Sequence, residues 1–414
     1  MLSAKAFVRA TGRALVGKSI AAGLALSLVA GAASAASYTL VYAGPSIWRD
    51  INNANVAVGS TFYDSYFGVP QVLTATVWKD GIATDFSASF GSGYAQAMAT
   101  GINDLGVITG FTGGSQPGGP VLPSGAFNYS GSGLLQEADF LGAVQPGEFA
   151  QPAAINNHNV VVGASGVTAV AFATAPDGEI TPLSGLGTLG GPRSSANAIN
   201  DAGLVVGQAD TSVYMSGQPL NRAFAYDGAM HDLGTLSSYE NANSAAMGVN
   251  QSGAIVGFSD ADFGRRAFLH TGTGPLQASD DLGTLGGSQS YGFGINDLGH
   301  VVGSSSYDLT GRQHAFLYRD GAMIDLNSLV DLPAEFAGWE LLSADGINNN
   351  GWIIGTMTFG GNMTFGFVLA PTAAVPEPAT WAFMLLGFGC MGAGLRRREG
   401  SRRAVLTRMP AVQR

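Results

Sequence analysis

The sequence predicts an all-β fold: a seven-bladed β-propeller made from seven repeats of about 48 residues and closed by pairing of its N- and C-terminal strands. Three observations lead there. A turn motif recurs at seven places, each recurrence carries a pattern of about four short strands, and the repeat is permuted so that the two ends of the chain complete each other.

The turn is clearest in Gly294-Ile295-Asn296-Asp297-Leu298-Gly299-His300-Val301-Val302-Gly303. Aligned on the asparagine, its copies fall at Asn52, Asn103, Asn156, Asn200, Asn250, Asn296 and Asn348, spaced by 51, 53, 44, 50, 46 and 52 residues. An asparagine side chain can accept from the backbone two residues on, and a glycine three places later supplies a left-handed backbone. Asn55 and Asn159 stand at that glycine position in two copies, and asparagine is the non-glycine residue that best tolerates it. Apolar, β-branched runs such as Val160-Val161-Val162-Gly163 and Leu204-Val205-Val206-Gly207 follow, as expected of short buried strands.

Between successive turns lies a second recurrent strand: Ala75-Thr76-Val77-Trp78, Ala126-Phe127, Ala171-Phe172, Ala223-Phe224, Ala267-Phe268, Ala315-Phe316 and Phe365–Leu369. Several copies run into Asp-Gly, as at Asp80-Gly81, Asp177-Gly178, Asp227-Gly228 and Asp320-Gly321, a strong hairpin signal. A third element follows, clearest in Asp232-Leu233-Gly234-Thr235-Leu236 and Asp281-Leu282-Gly283-Thr284-Leu285-Gly286-Gly287. Four antiparallel strands per repeat is the size of a propeller blade. The chain starts mid-unit at Tyr38–Val41, and the strand missing there is expected from Phe365–Leu369 at the other end. An open β-solenoid is the competing architecture, but it needs terminal caps and none is apparent.

On the Ala-Phe, Asp-Leu-Gly-Thr-Leu-Gly-Gly, Ile-Asn-Asp-x-Gly and Val-Val-Gly elements, nearly the whole body resembles the HAF-repeat family of bacterial extracellular proteins, best over Gln289–Gly321. The histidine of that motif is present only as His314; Thr74, Gly125, Val170, Arg222 and Arg266 stand elsewhere, so no role for the histidine is carried over.

The ends read as addresses. Residues 1–35 have the form of a signal peptide: basic Lys5, Arg9, Arg13 and Lys18, an apolar run from Ile20 to Ala30, and Ala33-Ser34-Ala35 as the cleavage site for signal peptidase. Gly12–Ser19 fits the phosphate-loop pattern, but a signal peptide offers neither the strand nor the helix that loop requires. Residues 36–371 form the repeat domain and 372–378 a Pro-rich linker. Residues 379–395 form an apolar run of membrane-spanning length, and 396–414 a basic cytoplasmic tail. The combination of Pro376-Glu377-Pro378, the apolar run and Arg396-Arg397-Arg398 resembles a PEP-CTERM sorting signal. That resemblance implies recognition by a membrane-embedded exosortase and transient anchoring in the inner membrane. It also implies delivery to the surface or extracellular matrix of a Gram-negative, polysaccharide-producing cell. The tail Glu399–Arg414 is longer than such signals usually carry.

With both ends set aside, eight Lys and Arg face 27 Asp and Glu, a net charge of about −19 that disfavours nucleic acid and anionic membrane surfaces. The one cysteine, Cys390, lies in the apolar run, so packing and strand pairing hold the body without disulfides.

Candidate chemistry is sparse. His158, His231, His270, His300 and His314 are scattered over different repeats as ordinary turn or surface residues. Gly185–Gly190 fits GxGxxG but precedes no helix, so no cofactor is expected. Asp260 and Asp262 form the one acidic pair of note, with Asp64, Asp210 and Asp308 in comparable loops. Two carboxylates supply too few oxygens for Ca²⁺, which favours a solvated acidic rim over a metal site. Phe62, Tyr63, Tyr66, Phe67, Tyr214 and Tyr307 share those loops, where an aromatic face beside a carboxylate suits a sugar, although packing of the loops explains them as well. The expectation is a non-enzymatic binding or structural module of the exopolysaccharide layer, with a polysaccharide-cleaving propeller, hydrolase or lyase, as the alternative. A permanently anchored adhesin is a third reading, in which the 379–395 run is retained.

Overall fold

The computed structural model describes residues 37–63, 72–86, 96–113, 125–130, 140–142, 150–165, 170–173, 185–361 and 363–372. It is an all-β structure in a β-propeller arrangement, its described helices limited to single 3₁₀ turns. The strands fall into seven antiparallel sheets. Six are made of strands consecutive in the chain. The Asn296 sheet, with Ser290–Ile295, Val301–Ser306, Gln313–Arg319 and Ala322–Asp325 in that order, is representative. The seventh is composite: Trp339–Ile347, Ile353–Phe359 and Met363–Pro371 are joined at the outer edge by Tyr38–Gly44 from the other end of the chain. The ends therefore pair as the repeat phase suggests, but the part that each plays is different. Val72–Lys79 gives the Asn52 sheet its own Ala-Phe-type strand, and Tyr38–Gly44 supplies the fourth strand of the last sheet.

The motif residues explain the sheets. In each of them a strand ends at the repeat asparagine, and the chain turns back through a residue with positive φ, at 61° for Asn55 and Asn159 and at 77° for Gly299. The glycine that closes Val-Val-Gly lies under the next strand: a Cβ on Gly303 would overlap the Tyr291 carbonyl and sit 2.8 Å from the Phe316 ring. The same overlap with a carbonyl on the preceding strand occurs at Gly59, Gly110, Gly163, Gly207, Gly257 and Gly355. Phe127, Phe224, Phe268, Phe316 and Phe367 are fully buried in the matching positions, so the phenylalanine of Ala-Phe fills the space that the glycine leaves. The alanine beside it is buried too, at Ala75, Ala126, Ala223, Ala267 and Ala315.

The Asp-Leu-Gly-Thr-Leu element at Asp281–Leu285 links the sheet that holds Arg265–Thr271 to the Asn296 sheet. Asp281 accepts from the Gly283 N–H at 2.8 Å, and Leu285 N–H donates to the Ser305 hydroxyl at 2.9 Å. Ser290 bridges both partners, accepting from the Ala267 N–H and donating to the Gly283 carbonyl. Beyond Asp325 the pattern changes. Leu326–Ser328 and Ala334–Phe336 form two 3₁₀ turns on the way to Trp339, and Leu329 accepts from the backbone of Ser37 and Tyr38.

Candidate functional site

Two features converge several repeats on one place. The first is the ring of asparagines. Each Asn Oδ1 accepts from the backbone four residues on, as in Trp352 N–H to Asn348 at 2.9 Å. Each Nδ2 donates to the carbonyl of the next asparagine: Asn52 to Asn103, then to Asn156, Asn200, Asn250, Asn296 and Asn348, and from Asn348 back to Asn52 at 2.8 Å. All seven asparagines are buried. The seven expected turn residues are thus brought together in one closed circuit, and the last member joins the first across the chain ends.

A second circuit lies beside it. The residue after each asparagine donates its N–H to the side chain of its counterpart in the next sheet, through Asn53, Asp104, Asn157, Asp201, Gln251, Asp297 and Asn349. Amides and carboxylates largely alternate, so Asn157 Nδ2 and Gln251 Nε2 both donate to Asp201 Oδ2. The two circuits line a cavity of about 170 Å³ whose apolar members are Ile51, Ile102, Ile155, Ile199, Val249, Ile295 and Ile347. Asp50 also lines it, accepting from the Ile51 and Ile102 N–H groups, yet burial pushes its carboxyl up to about 6. Asp345, on the last sheet, is likewise raised to about 6 by burial, with Arg49 opposing the shift.

The second feature is a cavity of about 390 Å³ formed where the link after Asp325 departs from the repeat. Its lining includes His314, Asn327, Asp331, Phe336, Trp339 and Glu340. His314 Nδ1 lies 2.6 Å from Asp325 Oδ2, and the Tyr307 ring stacks on the imidazole with centroids 3.9 Å apart. Trp339 is packed by Phe336, Phe359 and Phe365. Asn327 accepts from the Leu341 N–H at 2.7 Å and donates to the Leu341 carbonyl at 3.0 Å, which fixes the strand start bearing Trp339 and Glu340. Elsewhere the residue at the His314 position meets the same acid: Arg266 Nε stands 3.7 Å from Asp281, and Asp232 exerts its field on Arg222. Where this position is Arg222, Arg266 or His314 it therefore places a cation or imidazole against the aspartate of Asp-Leu, whereas Thr74, Gly125 and Val170 stand there in other repeats.

The loop carboxylates are not gathered. Asp210 is 1% exposed and pairs with Arg193 at 2.9 Å and with Asn221. Asp260 binds Arg265 and caps Asn243, whereas Asp262 accepts from Ser237 and Ser238. Asp308 is held down to about 2 by hydrogen bonds from Thr310 and Arg312. Asp260 and Asp262 thus serve different loops, and among the described residues no three His, Cys, Asp or Glu side chains are placed to hold a metal ion. Tyr214 is exposed, and Asp64, Tyr66, Phe67 and the side chains of Phe62 and Tyr63 lie outside the described residues.

Of the histidines, His231 pairs with Asp227 at the surface, but His270 is buried against Asp280 and His314 is half-buried against Asp325. Their pairing is missed when histidines are sought in local motifs, because each partner lies ten or eleven residues away across a hairpin. The unusual link Leu326–Gly338, which replaces Gly-Thr-Leu-Gly-Gly, is the sequence signal that marks the second cavity.

Ala33, Ala35, Pro376, Glu377, Pro378, Arg396, Arg397, Arg398 and the 379–395 run lie outside the described residues. Among the described residues no helix is long and apolar enough to cross a membrane. Residues 374–398 match the PEP-CTERM protein-sorting motif. No curated protein matches the chain. The sorting motif implies an exported protein that is sorted by an exosortase, and a propeller is compatible with that fate.

Proposed function

We propose that the chain is a non-enzymatic binding or structural module of the extracellular polysaccharide layer, cut by signal peptidase after Ala35 and delivered to the surface of a Gram-negative cell by an exosortase acting near Pro376-Glu377-Pro378. The observation that carries the reading is the order of parts: a repeat body whose asparagine circuit returns from Asn348 to Asn52, followed at once by the sorting motif at 374–398. A ring of sheets withstands the extracellular space without disulfides because the edges it leaves are short and protected. Membership of the HAF-repeat group rests on the recurring motifs. Arg396–Arg398 and the preceding apolar run act as the transient inner-membrane hold before processing.

The absence of activity is supported by the engagement of the loop acids. A hydrolase needs two carboxyl groups at a set separation across the scissile bond, one of them free to donate a proton. Asp210, Asp260, Asp262 and Asp308 are each bound to arginine, serine or threonine partners in their own neighbourhoods.

The test is to mix the mature protein with the exopolysaccharide purified from its own host, pellet the polymer, and measure both the bound protein and the polymer's chain length. Co-sedimentation with unchanged chain length is the expected result. Shortening of the polymer would replace the module by the cleaving enzyme.

A further inference from the structure

We infer that the cavity at His314, Trp339 and Glu340 is a binding site for one uncharged sugar unit of a glycan; the inference rests on the reading of the protein as a module of the polysaccharide layer. The cavity's volume of about 390 Å³ lies within the roughly 300–1,000 Å³ of small-molecule sites. No Lys or Arg lines it.

Its polar groups point to the ligand. The short contact between His314 Nδ1 and Asp325 makes Nδ1 the donor, and in the neutral ring this leaves Nε2 an acceptor. The His314 side chain is 13% exposed, and its Nε2 is buried with no hydrogen-bond partner. Buried polar groups are nearly always satisfied, so an orphan acceptor at a cavity wall is one that a ligand hydroxyl entering the cavity would satisfy. Glu340 Oε2 stands 3.9 Å from that Nε2, too far for a hydrogen bond, and its side chain is 55% exposed. Two acceptors at this separation fit two adjacent hydroxyls, one donating to the imidazole and the other to the carboxylate.

Beside them Trp339 offers a partly exposed ring held by Phe336, Phe359 and Phe365. An apolar face next to hydroxyl donors is the makeup of a pyranose. A uronate, sulfate or phosphate brings negative charge against Glu340 and Asp331 with no cation to receive it. The site is also built before the ligand arrives. Asp325 and Tyr307 fix the imidazole, and Asn327 fixes the strand start, so little ordering is left for binding to oppose.

The experiment is calorimetric titration of the mature protein with cellohexaose, mannohexaose, maltohexaose and hexagalacturonate. At least one uncharged hexasaccharide binds, and hexagalacturonate does not. Trp339→Ala and Glu340→Gln each weaken that binding at least about tenfold, the equivalent of 1.4 kcal/mol. Phe263→Ala, which removes a side chain 86% exposed on another loop, leaves it unchanged. Circular dichroism establishes folding, and Glu340→Gln carries the test if Trp339→Ala unfolds. Silence with all three uncharged sugars overturns the inference. So does binding that ignores the folded variants, or tighter binding of hexagalacturonate. If the polymer co-sediments while Trp339 and Glu340 are irrelevant, the site is wrong and the module stands.

Discussion

Replacing Asn348 removes the link through which the asparagine circuit closes over the two ends of the chain. Its side chain makes four hydrogen bonds: Nδ2 donates to the Asn52 carbonyl and to Asn55 Oδ1, both at 2.8 Å, and Oδ1 accepts from the N–H groups of Asn350 and Trp352. Not all of these are lost at full cost. Asn350 is exposed and water replaces its partner, and the Asn52 carbonyl keeps the Asn55 N–H. The Trp352 N–H and the buried amide donor are the serious losses. At about 1 kcal/mol for a satisfied bond and 1–3 kcal/mol for an orphaned buried group, Asn348→Ala should destabilise the protein by about 2–4 kcal/mol. Asn348→Asp separates the turn from the ring. It keeps the acceptor for Trp352 but turns the donor into an oxygen facing the Asn52 carbonyl, so its loss at neutral pH should equal or exceed that of alanine. Urea unfolding at pH 7.5 with a fixed denaturant slope measures both. A loss below about 1 kcal/mol for alanine, or an aspartate variant as stable as the parent, would refute the argument that the circuit stabilises the fold.

Other consequences follow from the same physics. Gly303→Ala forces a Cβ into the Tyr291 carbonyl and against Phe316, and should cost more than about 3 kcal/mol or abolish soluble expression, whereas alanine at Ser288, in the exposed part of the preceding link, should change stability by less than about 0.5 kcal/mol. Asp345, raised from 3.8 to about 6, retains in the folded state a proton that the unfolded chain releases between about pH 4 and 6. Its contribution is therefore fully present below pH 4, falls as pH rises toward 6 and is flat above. Asp345→Asn should accordingly gain about 3 kcal/mol relative to the parent at pH 7.5 and nothing at pH 3.5, and a pH-independent difference in thermal unfolding would contradict the assignment. His314→Arg imitates the Arg266–Asp281 pair and should leave stability within about 1 kcal/mol. It should also abolish sugar binding by filling the cavity with a charged side chain, as titration calorimetry would report.

The local rules of this chain were readable because they are repeated. Asn55 and Asn159 stand where five other copies have glycine, and all seven positions take positive φ, as expected when a backbone conformation selects its residue. The asparagine was legible as a turn residue through its acceptor oxygen. Its donor was not, because the carbonyl it reaches lies 44 to 53 residues away, or 296 at the closure, and no local pattern encodes such a partner. Pairing of the chain ends was foreseeable from the repeat phase. The phase did not reveal which strand each end contributes, since Ala75–Trp78 and Phe365–Leu369 carry equally good Ala-Phe-type patterns. The loop acids misled for a related reason: D-x-D reads as an open acidic rim until Arg265, Ser237 and Ser238 are brought against it by loops from other strands. The cavity at Trp339 was hidden because an irregular segment has no repeat partner with which to compare it.

The measurement that bears most directly on the account is the intact mass of the protein recovered from the medium and cell surface, compared with that of a Pro376→Ala/Glu377→Ala/Pro378→Ala variant. The account predicts a wild-type mass that corresponds to cleavage after Ala35 and again near Pro378, and a variant that stays in the membrane fraction with its C-terminus intact. An uncut C-terminus in both proteins would contradict it, and would make the chain a permanently anchored surface protein.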